Sequence, residues 1–199
     1  MATNDYHFTT HWHLPNTTVQ EISAILGNGP DLARWWPSVY LAVKELEPGD
    51  PQTGIGKVID LYTKGWLPYT LRWQFRVTDA HPHGFALEAW GDFVGRGIWT
   101  FEQAGDDVNV TYDWKVSAGK PLLRNLSWLL KPVFSANHHW AMRMGYESLL
   151  IELARRHATT PAELALIPPP KPATTTSPAP MIFILAAGVT LLWFITKKR

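Results

Sequence analysis

The side chains that could carry acid–base chemistry are spread thinly along this sequence. A reaction inside an apolar space needs a proton donor and a proton acceptor whose pKa values are shifted by burial. The available candidates are Glu88, Asp92, Arg96, Asp113 and His138. No spacing among them is typical of a catalytic motif, and carboxylates in such positions more often lie in solvent or stabilise the fold. They are therefore weak candidates.

Two histidine pairs invite comparison with metal sites. His11 and His13 fall on one face of a predicted strand, but no third ligand accompanies them. His138 and His139 are adjacent on a predicted helix, so their side chains point about 100° apart. The chain contains no cysteine, which excludes disulfides, thiolate metal sites and a cysteine nucleophile. We expect neither a metal nor a cofactor.

Aromatic side chains form a stronger pattern than titratable ones. The chain has 11 Trp residues, which indicates a large apolar interior or a ligand surface. In residues 84–118, apolar and polar positions alternate with the period of a sheet that has two unlike faces. We predict an apolar cavity with this wall: Trp73, Phe75, Trp90, Trp99, Phe101, Trp114, Phe134, Met142, Gly145 and Tyr146.

A sheet must hold these rings and a helix must cover them. Alternation predicts about seven antiparallel strands, over residues 8–14, 40–46, 54–62, 70–77, 85–93, 98–102 and 108–116. Two short helices follow the first strand, and Gly95-Arg96-Gly97 is expected to interrupt the sheet between the fifth and sixth strands. A helix from Val133 to His157 covers the sheet, with Ala141 and Gly145 at the crossing. Those small residues either allow close packing or leave room for a ligand.

The C-terminal residues differ from the rest in composition. Residues 159–180 are rich in Pro and Thr and are predicted to be a semi-rigid, disordered linker after a domain over residues 1–158. Met181–Thr196 is uncharged and apolar, and Lys197, Lys198 and Arg199 follow it. As a helix this segment spans about 24 Å, and snorkelling with local thinning accommodates a hydrocarbon core of roughly 30 Å. We predict a single-pass membrane anchor, and a buried core helix is the alternative.

Charge and topology narrow the possible partners. The formal net charge is +1, and the basic excess lies in the C-terminal tail, so residues 1–158 offer no basic stripe for nucleic acid. The N-terminal residues have no apolar core typical of a signal peptide. Although the basic tail favours the cytoplasmic side, moving a short tail across a bilayer is easier than moving a domain. We therefore expect a tail anchor whose domain faces the cytoplasm.

The element order resembles a known superfamily. A strand, two helices, six strands and a long helix occur together with Trp35-Trp36-Pro37, the strand bearing Trp99 and Phe101, and Tyr112-Asp113-Trp114. Over residues 6–157 this resembles the SRPBCC or START-like superfamily, and most of all its polyketide cyclase/dehydrase-type members. The resemblance implies an α+β helix-grip fold in which an antiparallel sheet wraps round the C-terminal helix and encloses a deep apolar cavity. Members bind lipids, sterols, quinones, polyketides or plant hormones, and some are aromatases or cyclases.

Three functions remain open at this point. The first is membrane-tethered binding or transfer of a hydrophobic small molecule, with the aromatic Lys64–Tyr69 loop as a cavity lip that touches the bilayer. The second is a cyclase, dehydratase or hydrolase that uses the same cavity, and the third is a structural module whose interior is filled by its own Trp side chains. A pocket of roughly 300 Å³ or more with converging polar groups favours a ligand, whereas a packed interior favours the third function.

Overall fold

The computed structural model of the protein describes residues 5–118 and 127–174. Its elements in chain order are β1 (Asp5–Leu14), α1 (Val19–Leu26), a 3-10 turn (Gly29–Asp31), α2 (Leu32–Trp35), β2 (Tyr40–Glu47), β3 (Val58–Lys64), β4 (Thr70–His81), β5 (Gly84–Gly91), β6 (Phe93–Ala104), β7 (Asp107–Ala118), α3 (Ser127–His157) and α4 (Pro161–Leu166). This order confirms the predicted α+β class, with seven strands and a long helix after them.

All strand pairs in the sheet are antiparallel, in the order β1-β7-β6-β5-β4-β3-β2. Strands β2 to β7 form a meander, and β1 pairs with β7 from Asp5↔Ser117 to Leu14↔Val108. Apolar side chains alternate along the strands and point to one face, as Tyr6, Trp12 and Leu14 do on β1. That face holds the core and the cavity, which confirms the helix-grip arrangement.

The connection between β1 and β2 closes one end of the sheet. Thr18 caps α1, accepting a hydrogen bond from the Glu21 backbone N–H, and the Glu21 side chain accepts one from the Thr18 N–H. The apolar residues of α1 are buried against the sheet: Val19, Ile22, Ile25 and Leu26. This insertion also carries Trp35 and Trp36, both buried, into the space beneath α3.

Helix α3 lies over the inner face and is held at its C-terminal half by ion pairs. Glu152 is buried and receives two hydrogen bonds from Arg34, at 2.8 and 2.7 Å, and one from Arg156 at 2.9 Å. His157 contacts Glu21 of α1 at 2.7 Å. These contacts fix the C-terminal half of α3 relative to α1 and α2. The N-terminal half of the helix borders the cavity.

The turn between β5 and β6 differs from the sequence-based expectation. Gly95-Arg96-Gly97 lies inside β6, and the chain instead reverses at Gly91 and Asp92. Gly91 has a φ of 107°, a conformation that suits glycine. A Cβ at Gly95 would lie 2.1 Å from the Lys115 carbonyl oxygen, so this glycine serves close strand approach rather than a turn.

The described residues after α3 form a short helix and make contacts with the domain, where a disordered linker was expected. Thr160 and Glu163 form a capping box at the start of α4. Beyond it, the partly buried residues are Ile167, Pro170 and Ala173, a period of three that matches a polyproline II helix with one face on the domain. We call residues 167–174 the strap.

The sequence predicts a membrane-spanning helix near the C-terminus. Within residues 5–118 and 127–174, no helix is both long and apolar enough to span a bilayer. The predicted anchor Met181–Thr196 and its basic tail lie outside the described residues.

Candidate ligand-binding cavity

A cavity of about 130 Å³ lies between the inner face of the sheet and the N-terminal half of α3. Its wall consists of Tyr6, Phe8, Trp36, Val39, Tyr40, Thr63, Lys64, Gly65, Tyr69, Leu71, Trp73, Phe93, Tyr112, Trp114, Val116, Phe134, Asn137, His138, Ala141 and Met142. Lys64, Gly65 and Asn137 are partly exposed, and we call these three residues the rim. The volume is below the roughly 300 Å³ typical of sites for drug-sized ligands, because aromatic side chains fill much of the interior.

The rim is a contact between the β3–β4 loop and α3. The Asn137 side-chain oxygen accepts a hydrogen bond from the Leu67 N–H at 3.3 Å. Gly65 lies so close to that amide that an added Cβ would stand 2.0 Å from its oxygen. A larger residue at position 65 would displace the Asn137 side chain, and this contact borders the cavity.

The structure brings part of the predicted wall together. Trp73, Trp114, Phe134 and Met142 line the cavity. Phe75, Trp99 and Phe101 are buried in the adjoining core and do not line it. Tyr146 donates a hydrogen bond to the His13 carbonyl at 3.0 Å, also away from the wall.

Trp90 lies on the opposite face of the sheet from the cavity. On β5 the inward positions include Leu87 and Ala89, so Trp90 belongs to the outward set. Its ring nitrogen donates to Gln74 at 2.9 Å, and the side chain is 38% exposed. The expectation that Trp90 forms part of the wall is thus wrong, because successive residues of a strand point to opposite faces of the sheet.

The two small residues of α3 have different roles. Ala141 lines the cavity, so it leaves room there. Gly145 instead packs directly on Trp36, because a Cβ built on it would lie 2.2 Å from the Trp36 ring. Gly145 therefore serves close packing, and it shapes the cavity only through Trp36, which is a wall residue.

Four tyrosines of the wall were missed by the sequence analysis: Tyr6, Tyr40, Tyr69 and Tyr112. The Tyr6 hydroxyl is buried and has no hydrogen-bond partner among the described residues. Tyr6 and Phe8 have the same parity on β1 as Trp12, and Tyr112 the same parity on β7 as Trp114, so alternation was a usable signal for these. Tyr69 belongs to the Lys64–Tyr69 loop that was expected to form a cavity lip, whereas no comparable signal marked Tyr40 at the start of β2.

Burial controls the ionisation of these phenols. It raises the pKa of each of the four, and the neighbouring Tyr6 raises that of Tyr69 further. For Tyr112, the phenol of Tyr40 adds to the effect of burial on the pKa. All four phenols are therefore protonated at neutral pH, and each keeps an O–H donor.

His138 is the catalytic candidate that reaches the cavity. Its ring stacks on Phe8 with centroids 4.1 Å apart, and Nε2 lies 3.5 Å from the Thr10 hydroxyl. Burial, with a smaller effect of His139, lowers the pKa of His138 to about 4. The imidazole is thus neutral at pH 7.

The other catalytic candidates lie away from the cavity. Glu88 and Arg96 face each other across β5 and β6 on the outer face. Asp113 contacts His7 at 2.7 Å, and Asp92 accepts a hydrogen bond from the Arg72 N–H at 2.8 Å in the β5–β6 turn. The described wall therefore contains no carboxylate to act with His138.

The histidines of β1 make polar contacts across to β7. His11 contacts the Thr111 hydroxyl at 3.1 Å, and His13 contacts Asn109 at 3.0 Å and Asp107 at 3.1 Å. Among residues 5–118 and 127–174, no group of three or more His, Asp or Glu side chains is arranged to hold a metal ion. These contacts lie on the outer face of the sheet.

The sheet, its covering helix and the enclosed cavity define the protein as a helix-grip protein. No protein-family model matches the chain, and no curated protein matches it. Among solved structures, the Zhui aromatase/cyclase from Streptomyces sp. R1128 has a TM-score of 0.57 and 16% identity, over 78% of this chain and 97% of its own. The protein TTHA0849 from Thermus thermophilus has a TM-score of 0.57 and 12% identity, over 74% of this chain and 99% of its own.

A two-domain protein shows the same fold. The di-domain ARO/CYC BexL from the BE-7585A biosynthetic pathway has a TM-score of 0.55 and 11% identity, over 74% of this chain. The match covers 51% of BexL, so the chain spans about half of that protein's length. At these identities the likeness establishes a shared fold.

Proposed function

We propose that the protein belongs to the START-like superfamily and binds a small hydrophobic molecule, or one ring of a larger one, between the sheet and α3. The observation that carries this is the Tyr6 hydroxyl, which is buried in an aromatic wall without a hydrogen-bond partner among the described residues. Leaving such a group unpaired costs about 1–3 kcal/mol. A ligand with a hydrogen-bond acceptor would remove that cost.

The size of the cavity sets the scale of the ligand. Its 130 Å³ is close to the engineered apolar cavity of about 150 Å³ that takes up benzene. One ring therefore fits without rearrangement, and a lipid, quinone or polyketide-like molecule would leave the rest of its length at the rim. Because aromatic side chains fill much of the interior, a structural module also agrees in part with the cavity. A direct measurement of ligand binding separates these two functions.

The experiment is calorimetric titration with p-cresol and with 1,4-naphthoquinone. Ala141→Leu adds three carbon atoms to the wall, so we expect its affinity for either compound to fall at least tenfold. Ala154→Leu makes the same change at an exposed position of α3 and should bind as the parent does. Equal binding by all three proteins would place the ligand elsewhere, and absence of binding to the parent would favour the structural module.

A cyclase or dehydratase is the second candidate, because His138 places a neutral imidazole among the wall phenols. Two proteins of similar structure, the Zhui aromatase/cyclase and the di-domain ARO/CYC BexL, support the same class. The imidazole would accept a proton from a bound poly-β-ketone while a phenol donates to its carbonyl. His138→Gln should then keep ligand affinity and lose turnover, whereas unchanged turnover would remove His138 from the mechanism.

We also propose that Met181–Thr196 tethers the protein to a membrane with its domain in the cytoplasm. The support is the uncharged apolar segment followed by three basic residues. Protease added to intact cells or spheroplasts should leave the domain undigested until lysis. Digestion before lysis would show the opposite orientation.

A further inference from the structure

The strap runs along α3 from its C-terminal end to the cavity rim. Arg155 donates a hydrogen bond to the Pro168 carbonyl at 3.4 Å, and two turns earlier on α3 Glu147 accepts one from Lys171 at 2.7 Å. Lys64 of the rim then donates to the Thr174 carbonyl. These contacts fix the direction of the strap, which is opposite to that of α3.

The position of Thr174 limits where the following residues can reach. Residues 175–180 separate it from Met181, and a fully extended chain covers at most about 25 Å over that distance. A domain of this size is roughly 40 Å across. A connection of this length from Thr174 reaches the rim side of the domain and is too short to reach the opposite end.

The loop and helix beside the rim carry the side chains that favour a bilayer surface. Trp66 lies in the β3–β4 loop and is partly exposed. Lys131 is exposed near the start of α3, with its ammonium 5.7 Å from the ring centre of the wall residue Tyr6. Together with Lys64, these residues give an interfacial aromatic ring and positive charge, which suit the headgroups of an anionic bilayer.

We propose that the strap holds the cavity rim against the bilayer, so that a hydrophobic ligand passes between membrane and cavity without crossing water. The proposal rests on the ligand binding and the membrane tether proposed above. The bilayer contacts the β3–β4 loop and the start of α3, while the strap shortens the connection between domain and tether. A flexible linker of the same length, free of α3, would leave the rim in any orientation.

The test uses the natural absence of cysteine. Trp66→Cys introduces a labelling site beside the rim, and Gln52→Cys introduces one in the exposed β2–β3 turn, at the opposite end of β3. The full chain, labelled with NBD, is reconstituted in phosphatidylcholine–phosphatidylglycerol vesicles that contain doxyl-labelled lipid. We expect at least threefold stronger quenching at position 66 than at position 52. Equal quenching, or a chain that does not sediment with vesicles, would overturn the proposal.

A second set of variants tests the strap itself. Twenty Gly/Ser residues inserted after Thr174 should lower quenching at position 66 to the level of position 52, with the chain still bound to vesicles. Lys171→Glu should lower it in part, and Lys171→Glu with Glu147→Lys should restore it. Unchanged quenching after the insertion would show that the strap has no orienting role.

Ligand binding is measured separately on the same proteins. The p-cresol titration reports the cavity, and the quenching reports orientation. Loss of binding with intact quenching would overturn the ligand proposal alone, and intact binding with equal quenching would overturn the membrane-facing rim alone.

Discussion

Gly145→Ala adds one methyl group where α3 packs closely on Trp36. The new Cβ would lie 2.2, 2.5 and 2.6 Å from three atoms of the Trp36 ring, where ordinary carbon contacts are about 3.5–4.0 Å. Trp36 is 3% exposed and contacts Trp12, Trp35 and Tyr40, so the open space beside its indole is the cavity that it lines. Either the helix must move or the ring must enter the cavity.

The magnitude follows from two opposing terms. Overpacking of this kind costs about 1–3 kcal/mol, and replacing Gly by Ala inside a helix returns about 1 kcal/mol. Because three ring atoms are overlapped at once, we take the upper half of the overpacking range, which leaves a net loss of about 1–2 kcal/mol. For a domain of this size that lowers the melting temperature by about 2–8 °C.

The assay is urea unfolding followed by circular dichroism, completed as a double-mutant cycle. Trp36→Phe removes the overlapped part of the ring, so Gly145→Ala should cost less in that background, with a coupling energy of about 1 kcal/mol or more. Additive changes in the free energy of unfolding would refute the reasoning. A stabilised single Gly145→Ala variant would do the same, since it would show that helix propensity outweighs the contact.

Two further predictions concern charge. Burial raises the pKa of Glu152, but hydrogen bonds from Arg34 and Arg156 hold that pKa below its ordinary value. Glu152→Gln should therefore lower the free energy of unfolding in urea by about 1.5–3 kcal/mol. Glu147→Gln removes a more exposed ion pair and should lower it by less than about 1 kcal/mol. His138 has a pKa of about 4 when folded and about 6.5 when unfolded, so the unfolded state binds more protons between these values and stability falls on acidification, by at most about 3 kcal/mol. His138→Gln should show a shallower loss between about pH 6.5 and 4, and parallel pH profiles for both proteins would contradict this.

Alternation predicted most of the sheet because its two faces differ so clearly. The strand over 108–116 was recognised from its apolar row, and the observed β7 includes it. The β5–β6 turn was misplaced because Gly95 and Gly97 look like turn residues in sequence. Their role depends on neighbours: Gly97 accommodates the Tyr112 hydroxyl, which an added Cβ would approach to 2.8 Å.

The cavity was harder to predict than the fold that surrounds it. Trp90 was included in the predicted wall because its ring is large. Its position in the alternation, however, places it on the same face of the sheet as Glu88 and Asp92. Gly145 and Ala141 are both small residues on the predicted helix. Their roles differ because Trp36, which comes from a different part of the chain, packs on Gly145. Asn137 of α3 contacts Gly65 and Leu67 of the β3–β4 loop, and no local pattern along the chain encodes this loop-to-helix contact.

The position of β1 at the edge of the sheet affects the order in which the chain acquires structure. Strands β2 to β7 each pair with the next strand along the chain, but β1 pairs with residues more than 90 positions away. During synthesis β1 thus has no partner until β7 has emerged, and closing so long a loop is slow. We expect β1 to join after the folding transition state, so Trp12→Phe should speed unfolding and leave the folding rate nearly unchanged. Since β1 contributes Tyr6 and Phe8 to the wall, the cavity is then completed in the last step of folding.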